Sequence, residues 1–218
     1  FTSKATNLVP NDTNGACDLF MRDLQAATTT RINVSSEGQE MKLKNPALGC
    51  HLSGSVSTNG EFIVFDALDS NIVPDDTNEM GDVFLRNLQT HTTIAVTKTD
   101  VTPGGSLNIY AETGSRSISD NGRYLVFAET AYTLGQSRVY DRQTGTTKVV
   151  SADALGIIGY YGSDETVISG DGRFIVFESA ASNLVSNDDN KKTDLFLNIN
   201  PAWTPPVNNS TSFNCPAE

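Results

Sequence analysis

Nearly the same phrase is written three times along this chain, and a fourth time in shortened form. The stretch Asp171-Gly172-Arg173-Phe174-Ile175-Val176-Phe177 runs on through Ser182-Asn183-Leu184-Val185 to Asp194-Leu195-Phe196-Leu197. An equivalent stretch begins at Asn59-Gly60, continues through Phe62-Ile63-Val64-Phe65 and Ser70-Asn71-Ile72-Val73, and ends at Asp82-Val83-Phe84-Leu85. The interval from Gly60 to Asp82 equals that from Gly172 to Asp194, so the register is shared. At the start of the chain, Phe1-Thr2-Ser3 corresponds to Phe177-Glu178-Ser179, and Thr6 to Asn14 leads to Asp18-Leu19-Phe20. The same interval counted back from Asp18 places that repeat's glycine before Phe1, so the sequence begins inside a repeat. The short version, Asn121-Gly122-Arg123-Tyr124-Leu125-Val126-Phe127, reaches Gln136, the counterpart of the closing aspartate, across a much shorter loop. A loop that one repeat drops is not what holds its strands together.

Each repeat reads as four short strands. Asn59-Gly60, Asn121-Gly122 and Asp171-Gly172 are hairpin signals, expected to form type I′ turns in which both central residues take positive φ. The second strands, Phe62 to Phe65, Tyr124 to Phe127 and Phe174 to Phe177, are apolar almost throughout, as strands covered on both faces are. The third strands alternate, as in Val83-Phe84-Leu85-Arg86-Asn87-Leu88, and are expected nearer a rim. Thr29 to Val34, Thr92 to Thr97 and Thr146 to Ser151 read as fourth strands. First strands near His51 to Ser57, Gly114 to Ser119 and Asp164 to Ser169 bring the expected number to fourteen. No window has a sustained helical period.

Four-stranded antiparallel units recurring at the spacing of Gly60, Gly122 and Gly172 are the pattern of β-propeller blades. The expected fold is therefore all-β, about four blades at residues 1–35, 50–97, 114–151 and 164–199, the first and last incomplete, followed by a Pro/Asn/Ser-rich tail at 201–218. A solenoid is the alternative. The phrases Asn121-Gly122-Arg123-Tyr124-Leu125-Val126-Phe127 and Tyr140-Asp141-Arg142-Gln143-Thr144-Gly145 resemble the TolB-like, WD-type propeller repeats of bacterial exported proteins. That resemblance covers residues 1 to 199 and is specific for fold more than for function. It implies closure into about six to eight blades. This chain would then be either part of a longer one or completed at its open ends by another copy.

Charge narrows the possible partners. A net charge of −11 argues against nucleic acid, whose phosphates call for clustered Lys and Arg. No apolar run approaches the length of a membrane span, and no membrane insertion is expected. Cys17, Cys50 and Cys215 fit no zinc spacing. A Cys17 to Cys50 disulfide is expected, since both lie at the loop end of the sheets, with two free buried thiols as the alternative. The implied location is extracellular or periplasmic.

In this strand order the loops between second and third strands share one end with the links between blades, whereas the tight hairpins lie at the other end. Candidate sites therefore concentrate there. Asp12, Asn14 and Asp18, then Asp76, Asn78 and Asp82, then Asp188, Asn190 and Asp194 place oxygen ligands at i, i+2 and i+6, a spacing that suits Ca²⁺. The same residues could equally brace the turn by bonding their own backbone. Tyr160 and Tyr161 could form an aromatic platform for a ligand, or pack between blades. His91 is expected in a solvent-facing turn and His51 as a structural histidine; there is no Gly-x-Ser-x-Gly elbow. The expected function is a non-enzymatic exported scaffold presenting its loop face, possibly Ca²⁺-braced, to a protein or glycan partner. The alternatives are the propeller portion of a larger hydrolase, and a structural subunit whose open blades are completed by self-assembly.

Overall fold

All of the regular secondary structure in the computed structural model is β. It describes residues 1–42, 52–67, 71–74, 76, 81–97, 116–129, 135–160 and 163–205. The strands are β1 (Thr2–Ser3), β2 (Asp18–Asp23), β3 (Thr28–Arg31), β4 (Gly54–Val56), β5 (Phe62–Ala67), β6 (Asp82–Asn87), β7 (Thr92–Ala95), β8 (Tyr124–Glu129), β9 (Gln136–Asp141), β10 (Thr146–Val149), β11 (Ser163–Ile168), β12 (Phe174–Ser179) and β13 (Asp194–Ile199). They form four antiparallel sheets, each in chain order: β1-β2-β3, β4-β5-β6-β7, β8-β9-β10 and β11-β12-β13. These are successive blades of an open, incomplete β-propeller. In the third blade the expected first strand contributes, among its described residues, a single bridge between Ile118 and Leu125.

The blades stack because their second strands are apolar on both faces. Ile63 and Phe65 of β5 join Leu19, Ile32 and Met41 of the first blade in one core. Alternate residues of the same strand, Phe62 and Val64, join Val83 and Leu85 against Ile118, Leu125 and Phe127 of the third blade. Tyr124 and Val126 of β8 in turn meet Ile175 and Phe177 of the fourth. Because successive side chains of a strand point to opposite faces, one short apolar run supplies two interfaces.

The hairpins fix how one blade sits on the next. A Cβ added to Gly122 would lie 2.2 Å from the Phe62 ring, and one added to Gly172 would lie 2.4 Å from Tyr124. Only glycine can rest on the preceding blade's aromatic ring. The expected type I′ turn does not form: Gly60, Gly122 and Gly172 have positive φ, but Asn59, Asn121 and Asp171 do not. The side chain of each acts locally instead, accepting from the serine two residues earlier (Ser119 Oγ to Asn121 Oδ1, 2.9 Å) and from the backbone two residues later (Arg123 N, 3.0 Å). That leaves a turn closed by a single left-handed glycine. Neighbouring hairpins are also stitched together, Asp120 N donating to Gly170 O (2.9 Å) and Asn59 N to Asp120 O (3.3 Å).

Two strand expectations are corrected. β6 is not a rim strand; Asp82 through Arg86 are buried. Arg86 can be buried because its guanidinium donates to Thr93 Oγ1 (2.7 Å) and to the carbonyls of Val34 and Ser35 in the preceding link. Conversely, β12 is not covered on both faces. Phe174, Leu195, Leu197 and Ile199 are 36%, 70%, 67% and 57% exposed, although they occupy the positions of Phe62, Val83, Leu85 and Asn87. Among the described residues no sheet lies on that face.

Leu85 and Leu197 hold the same place in the repeat and should respond differently to truncation. Leu85→Ala removes a side chain packed between two blades and is expected to cost about 2–5 kcal/mol, whereas Leu197→Ala should change stability by less than about 0.5 kcal/mol. Urea denaturation of the two variants checks this contrast.

Candidate functional site: the loop face

Since each sheet is antiparallel and in chain order, the β1–β2, β5–β6, β8–β9 and β12–β13 loops leave from the end opposite the hairpins. The inter-blade links after β3, β7 and β10 leave from that same end. Repeated asparagines tie link to loop. Asn71 Oδ1 accepts from Lys42 N (2.8 Å) and its amide donates to Glu40 O (3.0 Å). Asn183, its equivalent, accepts from Tyr160 N (2.9 Å) and donates to Ile158 O (2.9 Å). Asn71 and Asn183, which open the Asn-Ile-Val and Asn-Leu-Val phrases of the second and fourth blades, are thus clips, a role that their sequence context does not signal.

The first Asp-rich loop converges on a guanidinium. Arg31 of β3 lies 2.8 Å from Glu40, 3.2 Å from Asp18 and 3.4 Å from Asp12, and donates to Asn11 O (3.0 Å). Asn14 takes Ala16 N on its oxygen (2.8 Å) and donates to Asp18 (3.1 Å) and Met41 O (3.1 Å). Thr13 bonds Glu40 through both its amide and its hydroxyl. Burial raises the pKa of Glu40, but the hydrogen bonds from Thr13 and the Arg31 guanidinium outweigh it and hold the carboxyl below its ordinary value. Asp12 is held above its own ordinary value by burial and by the nearby Asp18 carboxylate. Arg31 thus sets one positive charge among three carboxylates. Arg31 is peculiar to the first blade: Ala95 and Val149 stand at its place in β7 and β10.

The closing aspartate has a structural role in each blade that carries a fourth strand. Asp18 accepts from Asn33 Nδ2 (2.7 Å) while Asn33 Oδ1 accepts from Leu19 N (2.9 Å). Thr97 does the same for Asp82 (2.6 Å) and Val83 N (2.9 Å). In the loop-shortened blade, Ser151 Oγ donates to Gln136 (2.8 Å) and accepts from Ser137 N (3.1 Å). One side chain at the end of the fourth strand locks the start of the third, and glutamine serves where aspartate is missing.

In the fourth loop, Asn190 accepts from Lys192 N (2.6 Å) and donates to Asp194 (2.9 Å), repeating the Asn14 brace. Asp188 does not join it through a hydrogen bond. In the second loop Asp76 and Asp82 are described and Asn78 lies outside the described residues. Among the described residues no three His, Cys, Asp or Glu side chains are placed to hold a metal ion. Cys17 is buried and disulfide-bonded; Cys50 and Cys215 lie outside the described residues, as do His51 and Tyr161. His91 is exposed in its turn with φ 57°. Tyr160 is not packed between blades but is 64% exposed. Around it on the same link and the neighbouring loop, Leu155, Ile157, Ile158 and Val185 are also exposed. Asp153 shapes this link, accepting from Leu155 N (2.9 Å) and Ile157 N (2.8 Å). Aliphatic residues scattered through 155–158 carried no sequence signal of a site.

No protein-family model and no curated protein matches the chain. Solved structures do. The chain is similar to TolB. Against TolB from Acinetobacter baumannii it shows 14% identity and a TM-score of 0.48, over 83% of this chain and 34% of that one. Against a putative TolB from Agrobacterium tumefaciens the values are 13% and 0.44, over 84% and 53%. The β-propeller domain of the Trilobed protease from Pyrococcus furiosus gives 9% and 0.39, over 84% and 62%. This chain thus spans between about a third and three-fifths of those chains. No helix among the described residues is long and apolar enough to cross a membrane.

Two substitutions test the loop supports. Thr97→Val leaves buried Asp82 and Val83 N without this partner and is expected to cost about 1–3 kcal/mol. Arg31→Met leaves three carboxylates facing one another and should cost about 3–5 kcal/mol at pH 7. Glu40 contributes stability above its unfolded pKa and loses it as pH falls through its lower folded value. The gap between Arg31→Met and the parent should therefore narrow on acidification below pH 4.5, the ordinary Glu40 value. Denaturant titrations at several pH values read both effects.

Proposed function

We propose that this chain is a non-enzymatic binding module of an exported protein, and that its loop face docks a protein partner. The exposed cluster of Leu155, Ile157, Ile158, Tyr160 and Val185 carries this reading. Exposed aliphatic and aromatic side chains on two segments joined by Asn183 suit an interaction surface, and tyrosine amid aliphatics is a common anchor of protein interfaces. The Asn183 clip and the Asp153 turn hold these residues on fixed backbone, so little ordering entropy is lost on docking. A glycan would call for stacked aromatic rings among polar groups, and this patch is mostly aliphatic. The acidic net charge and the disulfide at Cys17 suit an extracellular or periplasmic setting.

Ca²⁺ is dispensable to the first loop in this reading, because Arg31 already sets a positive charge among Asp12, Asp18 and Glu40. In the fourth loop the Asn190 amide donates to one Asp194 oxygen and Lys192 N to the Asn190 oxygen. A Ca²⁺-dependent rise in melting temperature that Asp12→Ala or Asp188→Ala abolished would overturn this account of the loops; the expected change between Ca²⁺ and chelator at those sites is none.

The partner reading is tested with a photo-crosslinking residue at position 155 in the envelope or culture fraction of the source cell. One protein should be captured, competed away by unlabelled chain, and lost in Tyr160→Ala. A hairpin-end variant, Thr58→Ala, should retain it. Capture that survives Tyr160→Ala, or that Thr58→Ala abolishes equally, counts against the loop face.

A further inference from the structure

The links after β3 and β10 are built on one backbone. In the first, Val34 bridges Glu40; in the other, Ala152 bridges Ile158. Ser35 N donates to Gln39 O (2.9 Å) and Gly38 N to Ser35 O (3.0 Å), just as Asp153 N donates to Ile157 O (2.9 Å) and Gly156 N to Asp153 O (3.0 Å). The Ser35 hydroxyl accepts from Glu37 N and Gln39 N (both 3.2 Å), and the Asp153 carboxylate accepts from Leu155 N and Ile157 N in the same places. Gly38 and Gly156 have φ of 79° and 81°. Each hairpin is then clipped by its asparagine: Asn71 bonds Lys42 N and Glu40 O, and Asn183 bonds Tyr160 N and Ile158 O. Between residues 34–42 and 152–160 the sequences share that glycine and nothing else.

The two hairpins differ in what they show to solvent. Glu37, Gln39 and Lys42 are exposed on one, and Leu155, Ile157 and Tyr160 are exposed in the matching places on the other. Asp153, Gly156 and Asn183 make the turn and the clip, so the three apolar side chains are not required to form them. Among the described residues, none of the three belongs to a core cluster. Polar residues serve the same backbone in the first link, and they are the ordinary choice at an exposed turn. Folding therefore does not account for the apolar set, whereas contact with another molecule does.

We infer that Leu155, Ile157 and Tyr160 form a projecting plug, and that the protein partner receives it in an apolar pocket rimmed by Lys or Arg. Leu155, at the turn, is 85% exposed, a convex shape that calls for a concave acceptor. The net charge of −11 favours basic groups around that pocket. The plug is self-contained. Residues 34–42 are the same hairpin without it, and they become a docking site once they carry the three side chains. This inference rests on the loop-face reading and adds which residues are read, and by what kind of surface.

The test is a competition among full chains. The parent carries a photo-crosslinking residue at position 154 and is incubated with the envelope or culture fraction of the source cell. One unlabelled competitor has the plug replaced by the first link's residues, Leu155→Glu, Ile157→Gln and Tyr160→Lys. A second carries these changes and also Glu37→Leu, Gln39→Ile and Lys42→Tyr. Both should melt within about 3 °C of the parent. The first should be more than about tenfold weaker than unlabelled parent in displacing the captured protein. The second should displace it as well as the parent does. Capture should weaken as salt is raised. Equal competition by the first competitor overturns the plug and leaves the loop-face reading standing, as does a second competitor no better than the first. A larger fall in melting temperature makes the three side chains structural and overturns the plug as well. Capture that strengthens with salt rejects the basic rim. If the parent captures no protein, the loop-face reading fails and the plug fails with it.

Discussion

A strand that is apolar on both faces is stable only where both faces are covered, and this requirement organises the molecule. Phe62, Ile63, Val64 and Phe65 cannot lie on a two-layer sandwich without exposing half of themselves. Stacking sheets in series satisfies them, each sheet serving as the cover of the one before. The aromatic residue at the head of β5 or β8 then needs a partner that fits beneath a ring, and the next blade's hairpin glycine fills that place. Packing and turn chemistry thereby become one constraint, since the glycine that permits the turn also permits the stack.

Polar residues hold the loop end by a different rule. Buried carboxylates need compensation, and the chain provides it locally at each position. The residue that opens the third strand is satisfied by a side chain just past the fourth strand: Asp18 by Asn33, Asp82 by Thr97 and Gln136 by Ser151. The extra acids of the first loop gather around Arg31, which β7 and β10 lack and which sets one positive charge among them. With the loops braced from within and the links clipped by Asn71 and Asn183, the loop end is a fixed surface on which aliphatic residues stay exposed. That combination of rigid backbone and exposed apolar side chains is what favours docking there.

Much of the fold was legible because it was written repeatedly. Equal intervals from hairpin glycine to closing aspartate, the Asn-Gly and Asp-Gly pairs and the Phe-terminated runs established blades, strand order and the shared end of the loops. The type I′ expectation failed because the dipeptide alone does not reveal that Ser57, Ser119 and Ser169 engage the following Asn or Asp and keep it out of positive φ. The rim expectation for β6 failed because an arginine in an alternating strand reads as solvated, whereas Arg86 finds carbonyl partners in a link belonging to the preceding blade, far away in sequence. For the Asp-rich loops, spacing alone left cation binding and turn bracing equally open; Arg31, on the strand after the one Asp18 opens, was beyond reach of any local motif.

By itself the sequence determined the unit: four strands, a glycine hairpin, a closing acid, and an order that sends hairpins to one end and loops to the other. These follow from local preference and from period, which are properties of neighbouring residues. Only the tertiary structure decided which copies of that unit are covered and which carboxylates meet a guanidinium. Leu85 and Leu197 are the same letter in the same register, yet one is core and the other surface, because burial belongs to the neighbour that arrives and not to the residue that waits for it.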